Sequence, residues 1–386
     1  MKRGLLFEIC AGLILSYWII SIFFSGTAKF EELALGTETI TYQALDKEGK
    51  IIHLQHIDSV EKNEFVSGWV KRGKKDVVFI LGNSQTHSIN QKKDNEVNYV
   101  ELLHNANPLS MREVLCVSQP NAGLQEFYLS YAYWKTIFPI RQVIIPVFMD
   151  DMREDGVRAD VFFSSLVEEK FQLKDTTQQM VHKINADLRS FWSHNNVNAG
   201  STVKNEMSLS SDETLQERTE KKINTWLDMH SVVWSNRQNV RGDFFNWTYR
   251  LRNTVLGINA NTIRKMIPQR YDLNLEALNL MVNDCLASEI SIVLYIPPIR
   301  FDVTLPYDLD EYQRFKSDIE AIAKKHPGKI VFKNYESSVP PELWGYKDAT
   351  NLKDEREIDF MHFQFRGHRI LADSLQRSMN LLNSVK

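Results

Sequence analysis

Residues 76–84 read Asp76-Val-Val-Phe-Ile-Leu-Gly-Asn-Ser84. The apolar, partly β-branched run over 77–81 is typical of a strand that is buried on both faces of a parallel sheet. Gly82 then allows the chain to turn sharply. The stretch therefore predicts a buried parallel strand that ends in a turn and feeds a helix.

Four further runs of this kind lie downstream, and helical patterns separate most of them. The runs are Glu113–Val117, Gln142–Phe148, Ile290–Ile296 and Lys329–Phe332, and the helical patterns include Leu124–Ile137 and Asp310–Lys325. Strands that alternate with helices are typical of α/β domains with a mainly parallel sheet. We therefore predict an α/β domain over residues 73–386, preceded by a short β-rich approach segment over residues 29–72.

The alternation is interrupted over about residues 154–280, where helical patterns occur without a convincing strand. We predict a helical insertion there, which carries Trp192, Trp226, Trp234 and Trp247. Within it, residues 194–220 are rich in Asn, Ser, Thr, Glu and Lys and have almost no apolar periodicity. That composition predicts a mobile loop.

The composition excludes several classes of protein. With 43% hydrophobic and 25% charged residues, the 386-residue chain has an ordinary globular composition, and its net charge of −3 gives no electrostatic reason to expect nucleic acid as a partner. Three cysteines are too few for a disulfide scaffold; Cys10 lies in an apolar run, so Cys116 and Cys285 form either one disulfide or two buried thiols. The chain contains no HExxH, CxxC, Walker A or GxGxxG motif, so we predict no metal and no cofactor.

The N-terminus carries an apolar run over residues 4–26 in which Glu8 is the only formally charged residue. As a helix it would be about 34 Å long, which is enough to cross a bilayer. The basic pair Lys2 and Arg3 favours a cytoplasmic N-terminus. We therefore predict that residues 1–28 are a single-pass membrane anchor and that the remaining chain is extracytoplasmic, in the periplasm or at the cell surface.

Two alternatives to the anchor stay open. Gly26 and Ala28 place small residues at positions −3 and −1 of a cleavage site before Lys29, so the segment can also be a cleaved signal peptide. A buried helix of a soluble protein is the third reading, although such helices seldom lack a polar stripe over this length. Both the anchor and the signal peptide export the domain.

Ser84 is the first candidate for chemistry, because it follows the first core strand at the predicted start of a helix. A helix N-terminus has unpaired N–H groups and stabilises negative charge, as an acyl-transfer nucleophile requires. The competing interpretation is a simple helix cap, since Asn and Ser are preferred there. His87, one helical turn later, either reaches the same site or lies on the helix surface.

Asp359 and His362 form the second candidate element, in the segment Asp359-Phe-Met-His362 before the last helical pattern. A carboxylate three residues before a histidine, on a loop that closes onto a helix, can accept the Nδ1 proton and leave Nε2 facing a nucleophile. Ligands of open α/β sheets bind beyond the carboxyl ends of the strands. A doubly wound sheet can therefore bring Ser84 and this pair to one edge.

This combination resembles the SGNH/GDSL hydrolase superfamily, whose pattern is a Ser after the first strand, a Gly after the second, an Asn after the third and D-x-x-H before the last helix. Within it, the chain is most similar to membrane-anchored, extracytoplasmic members tied to cell-envelope polymers, such as the D-alanine transfer protein of teichoic acids and the alginate acetylation proteins. The resemblance covers residues 75–160 and 288–386. It implies a flavodoxin-like three-layer α/β/α fold, with Ser84 as nucleophile, His362 as general base and Asp359 as its orienting partner.

The resemblance also implies an oxyanion hole that includes the backbone N–H groups of Ser84 and Gly123. After the third strand the superfamily has Gly-x-Asn-Asp, whereas this chain has Phe148-Met-Asp150-Asp151. An ionised Asp150 cannot donate a hydrogen bond and would repel an oxyanion. Either burial protonates Asp150, or its side chain points elsewhere and Asn121 supplies the missing donor.

Five side chains near the predicted edge are weaker candidates for substrate binding: Asp150, Asp151, Arg153, Arg158 and Arg300. The arginines can grip an anionic glycan or a phosphate. Arg153 and Arg158 also lie beside several acidic residues, which favours a plain ion-pair cluster. Arg300 follows two prolines that favour a rigid turn at the end of a strand.

Together, the resemblance and the anchor predict an exported serine acyltransferase or esterase that acts on O-acyl groups, chiefly O-acetyl groups, of a cell-surface polysaccharide. An acyl group on the serine would pass to a sugar hydroxyl or to water. The predicted partners are the polysaccharide or its acyl donor, the membrane, and an integral membrane O-acyltransferase. The alternatives are a catalytically inactive scaffold or glycan-binding protein with the same fold, and a lipid or peptidoglycan esterase.

Overall fold

A computed structural model describes residues 38–383 except 56, 58, 107–111, 159–165, 167–168, 175–177, 196–242 and 354–355. The predicted anchor over 1–28 and most of the predicted loop over 194–220 lie outside the described residues, as do Trp226 and Trp234 and the side chains of Trp192 and Trp247. Within the described ranges, no helix combines the length and the apolar character needed to cross a bilayer.

The described chain forms ten strands and nine α-helices. The strands are β1 (Thr39–Thr41), β2 (His53–Leu54), β3 (Asp76–Gly82), β4 (Ser88–Asn90), β5 (Arg112–Ser118), β6 (Ile140–Pro146), β7 (Ser291–Ile296), β8 (Ile330–Asn334), β9 (Trp344–Asp348) and β10 (Arg356–Phe363). The helices are α1 (Ser59–Lys71), α2 (Ser84–His87), α3 (Tyr99–Ala106), α4 (Leu124–Trp134), α5 (Gln179–Asn195), α6 (Asp243–Leu256), α7 (Pro268–Ala287), α8 (Leu309–Lys324) and α9 (Phe365–Asn383). All five strands predicted from apolar runs are present as β3, β5, β6, β7 and β8.

The central sheet has six parallel strands in the order β2-β5-β3-β6-β7-β8. Without the short edge strand β2, this is the 2-1-3-4-5 order of flavodoxin-like sheets. The register places Gly82, at the end of β3, opposite Ser118, at the end of β5. The connection from β3 leads to β5 on one side of β3, and the next connection leads to β6 on its other side. Because the strand order reverses at this point, a crevice is expected beyond the carboxyl ends of β3 and β6.

Helices cover both faces of this sheet. α3 packs against α9, and α4 packs against α7. The crossover from β3 to β5 runs in the opposite direction to the crossover from β5 to β6, so right-handed connections place α3 and α4 on opposite faces. The central strands β3, β5 and β6 are buried over most of their length, and Phe79 and Val143 are fully buried. The α/β class and the mainly parallel sheet are therefore confirmed, in a three-layer arrangement.

Two predictions about segments outside this core need correction. Residues 59–71, expected to be β-rich, form helix α1, whose Phe65 and Trp69 recur with a spacing of four and are buried. The predicted insertion contains no strand within its described part beyond one isolated bridge between Arg264 and Tyr307. Its last helix, α7, instead belongs to the core, because it packs on α4 and leads directly into β7.

Cys116 and Cys285 are both buried free thiols, so of the two alternatives for this pair the unpaired one holds. Burial raises the pKa of the Cys285 thiol to about 12 and that of Cys116 well above its usual range. Both thiols are therefore protonated at neutral pH and act as small apolar side chains of the core.

Candidate active site

The turn after β3 holds Ser84 at the first position of the short helix α2. Asn83 caps this helix, since its Oδ1 accepts a hydrogen bond from the Gln85 N–H at 3.2 Å. Gly82 is required by close packing, because a Cβ there would lie 2.2 Å from Oγ1 of Thr86. The Ser84 N–H has no hydrogen-bond partner among the described residues, so it is available to an oxyanion.

The structure brings Ser84, His362 and Asp359 together, although Ser84 and His362 lie 278 positions apart. Nε2 of His362 lies 3.1 Å from Oγ of Ser84, and Nδ1 of His362 lies 2.9 Å from Oδ2 of Asp359. The carboxylate can only accept, so Nδ1 carries the proton and Nε2 is free to accept the proton of the serine hydroxyl. This arrangement has the connectivity of a Ser-His-Asp triad.

The electrostatics of Asp359 suit an orienting carboxylate. The residue is buried, and its Oδ1 accepts the backbone N–H groups of Met361 and His362, both at 2.9 Å. Burial alone would raise the pKa of Asp359, but the neighbouring His362, Lys347 and these hydrogen bonds lower it to about 2. Asp359 is therefore ionised at neutral pH and stabilises an imidazolium on His362.

The acid and the base lie on a strand and not on the predicted loop. Asp359 and His362 belong to β10, which forms an antiparallel hairpin with β9 and has an irregular register between Ile358 and Phe363. The side chain of Gln85 fixes this hairpin to the nucleophile turn. Its Nε2 donates to the carbonyl oxygens of Pro298 at 2.8 Å and Met361 at 2.7 Å.

The prediction that the Gly123 N–H donates to an oxyanion is wrong. Gly123 caps α4, and its N–H donates to Oε2 of Glu126 at 3.0 Å, so this donor is already occupied. The cause is a glutamate at the third position of the helix, which reaches back to the cap. Asn121 lies in an exposed turn with φ of 50°, where its carbonyl oxygen accepts from Arg158. A donor role for the Asn121 side chain stays a prediction.

The two aspartates after β6 have different surroundings. Asp151 is buried and accepts from Nδ2 of Asn83 at 3.2 Å and from the N–H of Phe148 at 3.1 Å. Its burial raises the pKa of Asp151 well above the usual range. Asp150 points elsewhere: its Oδ2 accepts from Nη1 of Arg264 at 2.5 Å and from the hydroxyl of Tyr307 at 2.9 Å. Of the two alternatives for Asp150, the structure therefore shows the one in which the side chain turns away.

The three candidate arginines are all engaged within the protein. Arg158 forms a bidentate ion pair with Glu126, in which Nε donates to Oε1 at 3.0 Å and Nη2 donates to Oε2 at 2.6 Å. Arg300 pairs in the same way with Asp302 and donates to the Gly345 carbonyl oxygen. Nε of Arg153 donates to the Lys265 carbonyl oxygen. These contacts favour the ion-pair and turn interpretations over the gripping of substrate.

A second cluster of serine and histidine lies beneath the nucleophile turn, and the sequence did not reveal it. Oγ of Ser118 lies 2.7 Å from Nε2 of His53 and 2.7 Å from Nδ1 of His87. Nδ2 of Asn98 lies 3.2 Å from Nδ1 of His53. All four side chains are fully buried. His87 therefore neither reaches the site nor lies on the helix surface, and it shares the Ser118 hydroxyl with His53.

No protein-family model and no curated protein matches this sequence. Among solved structures, the chain is similar to a candidate acylhydrolase from Bacteroides fragilis NCTC 9343, with 11% identity, 86% of this chain and 100% of that chain covered, and a TM-score of 0.37. It is also similar to an acetylxylan esterase, Axe2, from Geobacillus stearothermophilus, with 11% identity, 80% and 96% covered, and a TM-score of 0.35. A carbohydrate esterase family 2 enzyme with a carbohydrate-binding domain, from Corynascus thermopiles (Myceliophthora fergusii), has 13% identity, 79% and 67% covered, and a TM-score of 0.35. Because identity and TM-score are low in all three cases, these similarities carry no argument about function.

Proposed function

We propose that this protein is a serine esterase or acyltransferase of the SGNH type that acts on O-acetyl groups of a cell-surface polysaccharide. The observation that carries the proposal is the contact of 3.1 Å between Ser84 Oγ and His362 Nε2, with Asp359 held against the other ring nitrogen. The base is within hydrogen-bond reach of the proton it would abstract, and its tautomer is fixed for that step.

The reaction follows from these contacts. Ser84 Oγ attacks the ester carbonyl carbon while His362 Nε2 takes the hydroxyl proton, and the negative charge on the carbonyl oxygen meets the Ser84 N–H at the start of α2. As the C–O bond of the ester breaks, His362 returns the proton to the leaving alkoxide. A sugar hydroxyl or water then attacks the acyl-serine with the same base. Transfer and hydrolysis therefore use the same residues.

The location and partners of the protein form part of the proposal. A membrane anchor over residues 1–28 would hold the domain outside the cytoplasm, beside an acyl donor supplied at the membrane. That tether favours transfer to the polysaccharide over hydrolysis, with an integral membrane O-acyltransferase as the partner that delivers the acyl group. The N-terminal run of the sequence supports this part.

The test is covalent labelling by a fluorophosphonate probe followed by mass analysis of the intact chain. We expect wild type to gain one adduct and Ser84→Ala to gain none. The matched control is Ser67→Ala, which removes an exposed serine on α1 and should label like wild type. Labelling that persists in Ser84→Ala would refute the nucleophile. Release or transfer of acetyl groups on an acetylated polysaccharide, compared between wild type and Ser84→Ala, then tests the substrate class.

A second candidate function is a catalytically inactive scaffold or glycan-binding protein. One observation favours it: the Gly123 N–H is occupied by Glu126, so the oxyanion side has one donor fewer than the resemblance implies. Hydrolysis of an aryl acetate by wild type and His362→Ala separates the two functions. Equal rates at the background level would favour the scaffold, and a loss of about a thousandfold or more in the variant would favour the enzyme.

A further inference from the structure

The loop after β6 carries a carboxylate, Asp150, that pairs with two arginines, Arg264 at its Oδ2 with the shorter contact and Arg153 at its Oδ1 at 3.7 Å. Asp150 follows β6, which lies directly beside β3 in the sheet. Its neighbour Asp151 contacts Asn83, the residue before Ser84. The carboxylate of Asp150 therefore belongs to the loop that contacts the nucleophile turn. An uncompensated charge there would oppose the negative charge that forms during acylation.

Arg264 is placed to compensate this charge. Its Nη1 donates to Oδ2 of Asp150, and the hydroxyl of Tyr307 donates to the same oxygen at 2.9 Å. Arg264 and Tyr307 are held side by side by an isolated bridge, in which the Arg264 N–H donates to the Pro306 carbonyl oxygen at 2.8 Å. Two separate segments thus converge on one carboxylate oxygen.

The same guanidinium also reaches the strand that carries the acid and the base. Cζ of Arg264 lies 5.0 Å from the ring centroid of Phe360, which is the residue after Asp359 on β10. A planar guanidinium can pair with a carboxylate at its edge while it stacks on an aromatic face, and an ammonium group cannot do both. Arg264 therefore joins the loop after β6 to β10.

We propose that Arg264 is a positioning residue, which neutralises Asp150 and fixes β10 against the loop after β6, so that acylation of Ser84 proceeds beside a compensated ion pair. The proposal rests on the proposed function, since it concerns the rate of acylation at the same serine. Arg264 acts through Asp150 and β10 and is not itself assigned a contact with substrate.

The test is a double-mutant cycle of Arg264→Met, Asp150→Asn and the double variant, read as kcat and KM for an aryl acetate. We expect Arg264→Met to lower kcat about 30- to 100-fold with KM changed less than about threefold, because the defect concerns the transition state. Asp150→Asn removes the charge that needs compensation, so it should lose no more than about fivefold. The double variant should recover at least about tenfold over Arg264→Met.

Two further variants control this cycle. Arg314 also pairs with a carboxylate, that of Asp318, and lies over a tyrosine ring, that of Tyr271, but on α8. Arg314→Met should leave kcat unchanged. Arg264→Lys keeps the charge and loses the stacking, so it should retain at least about a third of kcat relative to wild type even if Arg264→Met does not fold.

The outcomes separate the two proposals. Unchanged kcat in Arg264→Met, no recovery in the double variant, or an Arg264→Lys variant as impaired as Arg264→Met would each overturn the role of Arg264 while the labelling of Ser84 still stands. Absence of fluorophosphonate labelling in wild type would overturn the proposed function itself. A folded double variant that recovers activity would support both.

Discussion

Two clusters of serine and histidine lie at the same edge of the sheet, and they differ in exposure and in the group that orients the histidine. Ser84, after β3, meets His362, which is held by the carboxylate of Asp359. Ser118, at the end of the adjacent strand β5, meets His53, beside which lies the amide of Asn98. The Ser84 cluster is partly exposed, whereas the Ser118 cluster is fully buried.

The direction of the hydrogen bonds explains the different properties of the two clusters. Oδ1 of Asn98 accepts from the Glu101 N–H, so Nδ2 donates to Nδ1 of His53. His53 must then carry its proton on Nε2 and donate to Ser118, whose hydroxyl donates onward to His87. In the Ser84 cluster, Asp359 imposes the opposite tautomer, and Nε2 accepts. Proximity of serine and histidine is therefore not enough: a carboxylate partner and access from solvent make the difference.

The largest effect is expected from Asp359→Asn, which gives the Ser84 cluster an amide like that of the Ser118 cluster. We expect kcat for an aryl acetate to fall by about 10⁴, because an Asn N–H directed at Nδ1 selects the tautomer that cannot accept the serine proton. The control is Asp302→Asn, which removes an exposed partner of Arg300 and should stay within about twofold of wild type. An Asp359→Asn variant within tenfold of wild type would contradict the assigned tautomer.

Ser118→Ala tests the buried cluster in the converse way. We expect the free energy of unfolding to fall by about 3 kcal/mol, since ring nitrogens of two buried histidines lose their partner. Ser378→Ala, which removes a buried serine with one hydroxyl partner, Tyr335, should cost less, about 1 kcal/mol. Urea unfolding gives both values. Fluorophosphonate labelling of folded Ser118→Ala should match wild type; its loss would show that the buried cluster takes part in the reaction.

Gln85→Ala loosens only the Ser84 cluster. The variant frees the Pro298 and Met361 carbonyl oxygens and removes the tie between the nucleophile turn and β10. We expect kcat to fall about tenfold with little change in KM, because misplacement of His362 affects the transition state more than binding. Gln364→Ala, which breaks a bond to the exposed Gln91, serves as the control. Equal kcat in both variants would remove Gln85 from the set of positioning residues.

The sequence predicted what depends on local pattern. Continuous apolar runs placed five of the six strands of the central sheet, and the position of Ser84 after the first of these five, with Asp359 and His362 after the last, anticipated the edge at which they meet. The rule that parallel strands present their carboxyl ends at one edge supplied the link, because it holds whatever the side chains between them are.

Contacts between distant segments escaped prediction. Arg264 comes from a segment with no recognisable pattern, and its approach to Asp150 depends on the path of the chain between α6 and α7. The capping of Gly123 by Glu126 does have a local signal, because a glutamate stands three residues after the glycine that precedes the helix. His53 and Ser118 meet only because β2 pairs with β5, and a two-residue strand has no detectable periodicity.

The smallest expected effect is the pH dependence of the free energy of unfolding that comes from His53 in the buried Ser118 cluster. Burial, with a contribution from His87, lowers the pKa of His53 well below its ordinary 6.5, so the unfolded chain takes up a proton below that pH and the folded chain does not. Stability due to His53 is therefore complete above about pH 6.5 and falls by about 1.4 kcal/mol per unit as the pH drops further.

Two acids with raised pKa values oppose this trend, so the effect must be measured as a difference between proteins. Burial raises the pKa of Glu154 to about 7 and that of Asp151 well above its usual range. Protonation of each acid therefore increases the free energy of unfolding as the pH falls from neutral. His53→Gln keeps a donor for Ser118 and removes the titration. Between about pH 6 and about pH 5, urea unfolding should show wild type losing about 1.2 kcal/mol more than this variant. Parallel pH profiles would mean that His53 is charged in the folded protein, and the hydrogen-bond directions assigned to the Ser118 cluster would then have to be reversed.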